Sequence, residues 1–125
     1  MNSKLVLTTT AVLIGIFGFG WLIVPDVMGN YWRMDPGENL NYMGHRYAAF
    51  MLGLVVALSL ARSAPNTHAR RALMIGALVA LALTTAISLY GALALALNAW
   101  PAVIVESVLA MGFVWVLFVK PEPVV

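Results

Sequence analysis

Hydrophobic positions in this 125-residue chain gather into four long, nearly uncharged runs, at residues 5–24, 42–61, 72–97 and 102–119. A helix needs about 20 mainly apolar residues to cross the hydrocarbon core of a bilayer, and each run reaches or approaches that length. Polar, turn-forming pieces separate them: Pro25-Asp26 closes the first run, and residues 63–67 form a linker-like turn between the second and third. The pattern predicts an all-α fold, an integral membrane four-helix bundle that occupies residues 1–125 as one domain. The first run is predicted to be a retained helix rather than a signal peptide. Only Lys4 precedes it, and Gly18 and Gly20 are the only small pair that could serve a cleavage site.

Composition agrees with the runs. The chain is 62% hydrophobic and 10% charged, with a mean hydropathy of +0.93. Ordinary globular chains are about 45–50% apolar and about 25% charged, so a soluble domain of this size is excluded. The net charge of +2 comes from only seven basic residues with no clustered basic face. That argues against a nucleic-acid partner and for membrane lipids as the surroundings. With no cysteine, disulfides, thiolate nucleophiles and cysteine metal sites are excluded.

The basic residues also predict an orientation. Lys4, Arg62, Arg70, Arg71 and Lys120 fall on one side of a four-span arrangement, and Arg33 and Arg46 on the other. The positive-inside rule puts both termini and the Arg62–Arg71 turn in the cytoplasm and residues 25–41 outside. Trp21 and Trp100 are expected at the outer interface and Trp115 at the inner one. In the outer loop, Asp35-Pro36-Gly37-Glu38 has the form of a capped helix start, which predicts that the second long helix begins near Pro36. Upstream, the i,i+4 pairs Val27/Tyr31 and Met28/Trp32 predict a short interfacial helix.

Small residues predict how the helices meet. The series Ala72, Gly76, Ala80, Thr84, Ser88, Ala92, Ala96 is small at every fourth position of the third span, and Ala49, Gly53, Ala57, Ala61 form a stripe on the second. Such stripes let helix backbones approach closely in lipid, and they permit a homo-oligomer. Thr84, Thr85 and Ser88 are expected to bond back to their own helix carbonyls.

Glu106 is the candidate for chemistry. It lies about one turn into the fourth span, where an acid costs roughly 2.5–3.5 kcal/mol at the helix centre on insertion scales. His45 and Arg46 lie at a similar depth on the second span. The three are predicted to form either a polar clamp between helices or a ligand site, because an opposite charge offsets the desolvation of a carboxylate. Trp32, Tyr42, Tyr47 and Ser88 are candidate pocket residues. Asp35 and Glu38 add carboxylates to His45 and Glu106, but no metal-ligand spacing links them, so no metal or cofactor is expected. Ser107 merely follows Glu106 and sits in no nucleophile elbow.

Taken in order, the features are an apolar helix ending in Pro25, a loop, HRYAAFMLGLVVALSLAR, a basic turn, a small-residue helix, and a last helix with VESVLAMGFVW. In these the chain resembles the small four-helix bacterial membrane proteins of the DoxX-like group. The acid in the last helix, Glu106, and the stretch around residues 50–54 are the better matches. Where that group often carries an arginine in its third helix, this chain has TTAISLYG, and Arg46 stands as the substitute charge. The resemblance implies a fold and a multi-pass position in the bacterial inner membrane, not an activity. Three functions therefore stand open. The first is a subunit that binds a hydrophobic small molecule or docks on a larger membrane complex. The second is an enzyme on a lipid-like substrate with Glu106 as acid/base. The third is a proton-coupled exporter that works as a homo-oligomer.

Overall fold

The computed structural model describes residues 2–125. In chain order it holds α1 (Ser3–Ile23), α2 (Pro25–Tyr31), α3 (Glu38–Ser63), α4 (His68–Ala94) and α5 (Trp100–Val114), the last continuing into a π-helical turn, Trp115–Val119. Among the described residues there is no strand. Four helices, α1, α3, α4 and α5 with its π turn, are long and apolar enough to cross a membrane. That is the make-up of a multi-pass membrane protein, and the four follow the four apolar runs.

Local chemistry sets the ends. The Asn2 side chain accepts from the Leu5 amide (2.9 Å) and the Thr67 hydroxyl from the Arg70 amide (3.2 Å), so α1 and α4 each start on a side-chain cap. Proline falls in the first turn of α2 and of α5, where its missing N–H is no loss. The start of α3 differs from the prediction: the helix opens at Glu38, and no side chain caps it. Gly37 takes φ 157° and ψ 172°, a region that is essentially glycine-only, so the chain turns there and leaves Asp35 and Pro36 outside the helix. The short helix predicted between the first two spans is present as α2.

The helices associate in pairs. α1 packs chiefly on α3 and α4 chiefly on α5, while contacts of α1 with α5 and of α3 with α4 are sparser. Gly18 and Gly44 hold the first pair close: a Cβ on Gly18 would stand 3.1 Å from Leu52, and one on Gly44 only 2.6 Å from the Trp21 ring. Trp21 is buried there against α3, near the end of α1, whereas Trp100 and Trp115 are exposed. The two pairs share one core near the end that carries Ser3, built on Leu7, Leu58, Met74, Leu81 and Phe113.

The small series on α4 does not form one interface. An i+4 series advances about 400° per step and so drifts by roughly 40° each time. Ala72 and Gly76 point to open space, Ala80 and Thr84 border the gap toward α3, and Ser88 reaches α5. The buried positions of α4 are Arg70, Met74, Ala77, Leu81 and Gly91 instead, Gly91 lying against Leu97 of the following turn. On α3, Ala49 and Gly53 also face outward, and a Cβ on Gly53 would meet nothing within 4 Å.

Each end of the bundle is tied across the pairs. At one end Glu122 accepts from the Ser3 amide (2.8 Å) and hydroxyl (2.6 Å), while buried Arg70 donates to the Ser3 Oγ (2.7 Å) and the Ala64 carbonyl (3.3 Å). Asn66 donates to the carbonyls of Glu122 and Pro123, both at 2.9 Å. Arg71 donates to the Leu117 carbonyl (3.2 Å) in the π turn, a cation placed where a helix end leaves carbonyls unpaired. The Ser3 hydroxyl and amide, with help from Arg70 and Lys4, hold the Glu122 carboxyl below the usual carboxylate range. At the other end Asn98 donates its amide to the Trp32 carbonyl (3.3 Å) and its side chain to the Tyr31 carbonyl (3.2 Å).

Candidate functional site

A cavity of about 200 Å³ lies at the seam between the two helix pairs, in the half of the bundle nearer the α2 loop. Leu13, Ile14, Phe17 and Trp21 of α1 line it, with Trp32 from the loop and Tyr47, Phe50, Met51 and Leu54 of α3. Ala80, Leu81 and Thr84 of α4 and Ala102, Val105, Glu106 and Leu109 of α5 complete it. The spacing of the α5 residues explains their grouping: positions four before, one before and three after Glu106 share its helix face. Phe17 and Trp21 are likewise one turn apart on α1. The cavity opens beside Phe50 of α3 (76% exposed) and Ala80 of α4, which border both it and the exterior.

Glu106 is the only acid on these walls, and it is half-buried. Ser88 of α4 donates its hydroxyl to Oε2 at 3.0 Å. Thr84 stands close to the same carboxyl, but its one proton is directed to the carbonyls of Ala80 (3.0 Å) and Leu81 (3.1 Å) of its own helix. Thr85 does the same toward Leu81 (2.7 Å). The threonines thus behave as predicted, while Ser88 departs from back-bonding because a carboxylate is a stronger acceptor than a carbonyl already paired in the helix. Oε1 is left without a hydrogen bond among the described residues.

Two further polar features mark the cavity. The Trp32 indole Nε1–H is buried and has no hydrogen-bond partner. Tyr47 meets Trp21 edge to face, with centroids 6.4 Å apart and planes at 80°. The wall is otherwise apolar.

The structure does not bring His45 and Arg46 to Glu106. Arg46 turns onto Tyr42 of its own helix, donating to the hydroxyl at 3.2 Å with the guanidinium 5.8 Å from the ring centre. His45 continues the outward stripe of Ala49 and Gly53 and is exposed. Tyr47 faces the cavity, and one residue back along a helix turns the side chain by roughly 100°, which carries Arg46 out of it. Of the candidate pocket residues, Trp32 and Tyr47 line the cavity, Ser88 stands behind Glu106, and Tyr42 lies outside at 60% exposed. The α1 wall and the Asn98 tether are features that the apolar runs do not predict. The i,i+4 aromatic pair Phe17/Trp21 was a usable signal for the wall; a lone loop asparagine was none for the tether.

Such a site can hold a compact apolar molecule. It offers a carboxyl oxygen to a donor. No family model, no curated protein and no solved structure matches the chain.

Proposed function

We propose that this is a small multi-pass membrane protein that binds an apolar small molecule carrying one or two polar atoms, taken up sideways from the membrane between α3 and α4. The observation that carries it is the seam cavity of about 200 Å³, apolar except for Glu106, Thr84 and Tyr47. Ligand pockets are mostly apolar concavities with a few placed polar groups. An engineered apolar cavity of about 150 Å³ accepts benzene, so this one takes a single ring with a short substituent. Acid/base chemistry on Glu106 tuned by His45 or Arg46 has no contact behind it. The test is intrinsic tryptophan fluorescence of the detergent-solubilised protein titrated with ethylbenzene and phenols. Trp21 and Trp32 report occupancy, and Ala80→Phe at the mouth should abolish the response.

The orientation belongs to the same proposal. The Ser3-bearing end faces the cytoplasm of a bacterial inner membrane, and the α2 loop with the cavity faces outward. The five-to-two split of basic residues supports this. Single cysteines at exposed Asn30 and Ser63, in a chain with none of its own, test it with an impermeant thiol reagent in intact cells. Labelling at position 63 and not at 30 would invert the orientation. An accessory role on a larger complex, or a homo-oligomer, finds support in Gly53 and Gly76, whose backbones lie open to a neighbour.

A further inference from the structure

We infer that the cavity's ligand is a compact apolar amine, held as its ammonium by the unshared oxygen of Glu106 among aromatic rings. The inference rests on the apolar-ligand reading above and deepens it. Three observations carry it. First, the carboxyl has no basic partner: no Lys, Arg or His lines the cavity, and Arg46 is committed to Tyr42. A half-buried carboxylate with no counter-charge is costly, and a ligand that brings its own positive charge removes that cost. Second, Ser88 occupies Oε2 alone, which leaves Oε1 to accept from an N–H. Third, Phe17, Trp21, Trp32, Tyr47 and Phe50 line the same cavity as this one acid, and aromatic ring faces attract a cation within about 6 Å. A basic pocket would have suited an acid or a phosphate; this one has the opposite sign.

The volume restricts the molecule to one ring with a short aminoalkyl arm, or the ammonium end of something longer that leaves through the α3/α4 opening. That second source includes an ethanolamine phospholipid headgroup, which presents the same ammonium.

The experiment uses the full chain in detergent and three near-isosteric probes: 2-phenylethylamine, 2-phenylethanol and ethylbenzene. Quenching of tryptophan fluorescence is read for each, with Ala80→Phe subtracting uptake by the micelle. The amine should bind about tenfold or more tightly than the alcohol, the difference between a charged and a neutral hydrogen bond. Glu106→Gln should weaken the amine more than the alcohol and so erase that preference. Ser88→Ala, which keeps the charge, should retain the preference, so the result does not hang on one variant that could fail to fold. Equal binding of amine and alcohol to the unmodified protein overturns the amine class and leaves the apolar-ligand reading standing. If no probe gives an Ala80-sensitive signal, both fall. Repeating the amine titration in phosphatidylcholine vesicles with and without phosphatidylethanolamine separates the sources. Competition by the lipid assigns the ammonium to a headgroup, its absence to a free amine, and either upholds the proposal.

Discussion

Glu122 closes the first turn of α1 from the far end of the sequence: its two carboxylate oxygens take the Ser3 amide at 2.8 Å and the Ser3 hydroxyl at 2.6 Å. The first turn of α1 has no acid of its own. A carboxylate at a helix N-terminus meets both unpaired N–H groups and the positive end of the helix dipole. Arg70, 5% exposed, completes the arrangement by donating to the same Ser3 oxygen.

That arrangement makes stability depend on pH in a defined direction. The carboxyl of Glu122 is held below its unfolded value of about 4.3. Its contribution is therefore fully present above about pH 4.3 and disappears as pH falls through the lower folded value. The side chain is partly solvated, so the effect is expected at or below about 1 kcal/mol. Thermal melts of the parent and Glu122→Gln should differ near neutral pH, and the gap should close below about pH 4. A gap that widens on acidification would contradict the assignment.

Glu106 should be coupled to Ser88 and not to Arg46. In a double-mutant cycle, Glu106→Gln with Ser88→Ala should show an interaction of about 0.5–3 kcal/mol, as for residues in contact. Glu106→Gln with Arg46→Gln should be additive to within about 0.5 kcal/mol, because Arg46 is engaged with Tyr42. Detergent thermal stability measures both.

The end of α4 is predicted to improve on a change to glycine. Ala96 has φ 53°, and the Leu97 amide turns back to the Gly91 carbonyl at 3.1 Å across it. A side chain in the left-handed region costs roughly 1–2 kcal/mol. Ala96→Gly should then stabilise the protein by about 1 kcal/mol, and Ala86→Gly, exposed and inside the helix, should destabilise it by a similar amount. Paired melting curves read the two signs.

Leucine scanning along α4 should follow the drift of its small residues rather than a single stripe. Leucine at Ala72 or Gly76 meets open space and should be tolerated. At Gly91 even a Cβ would stand 3.2 Å from Leu97, so leucine there should cost about 1–3 kcal/mol through overpacking. Uniform tolerance along the series would mean that the turn after α4 is slack.

What could be read without coordinates divides by range. The four spans were legible because about 20 apolar residues in a row have few other solutions, and the short α2 because its apolar pairs are local. The start of α3 was misplaced by two residues, since the Asp35–Glu38 signal is local but Gly37 overrides it by its backbone angle. At the site, Glu106 stood out by its cost in an apolar run. Its partner did not, because Arg46 and Tyr47 are neighbours in sequence yet face different surroundings, and only the rotation of α3 against α1 decides which faces the cavity. Ser88 and Glu122 depend on contacts spanning 18 and 119 residues, which no helical periodicity encodes. A hint for Glu122 existed: it is the only acid on the side that carries five basic residues.

The π turn at Trp115–Val119 gives the lower end of the seam its own hinge geometry. Its i+5 bond from the Lys120 amide to the Trp115 carbonyl (2.8 Å) winds the chain wider than an α-helix, and Arg71 grips the Leu117 carbonyl inside it. With Asn98 fastened to Trp32 at the opposite end, the two helix pairs are stitched at both tips, and between the tips they share the core built on Leu7, Leu58, Met74, Leu81 and Phe113. Between those two fastenings the seam is filled with packed side chains toward the Ser3 end and left hollow beside Glu106.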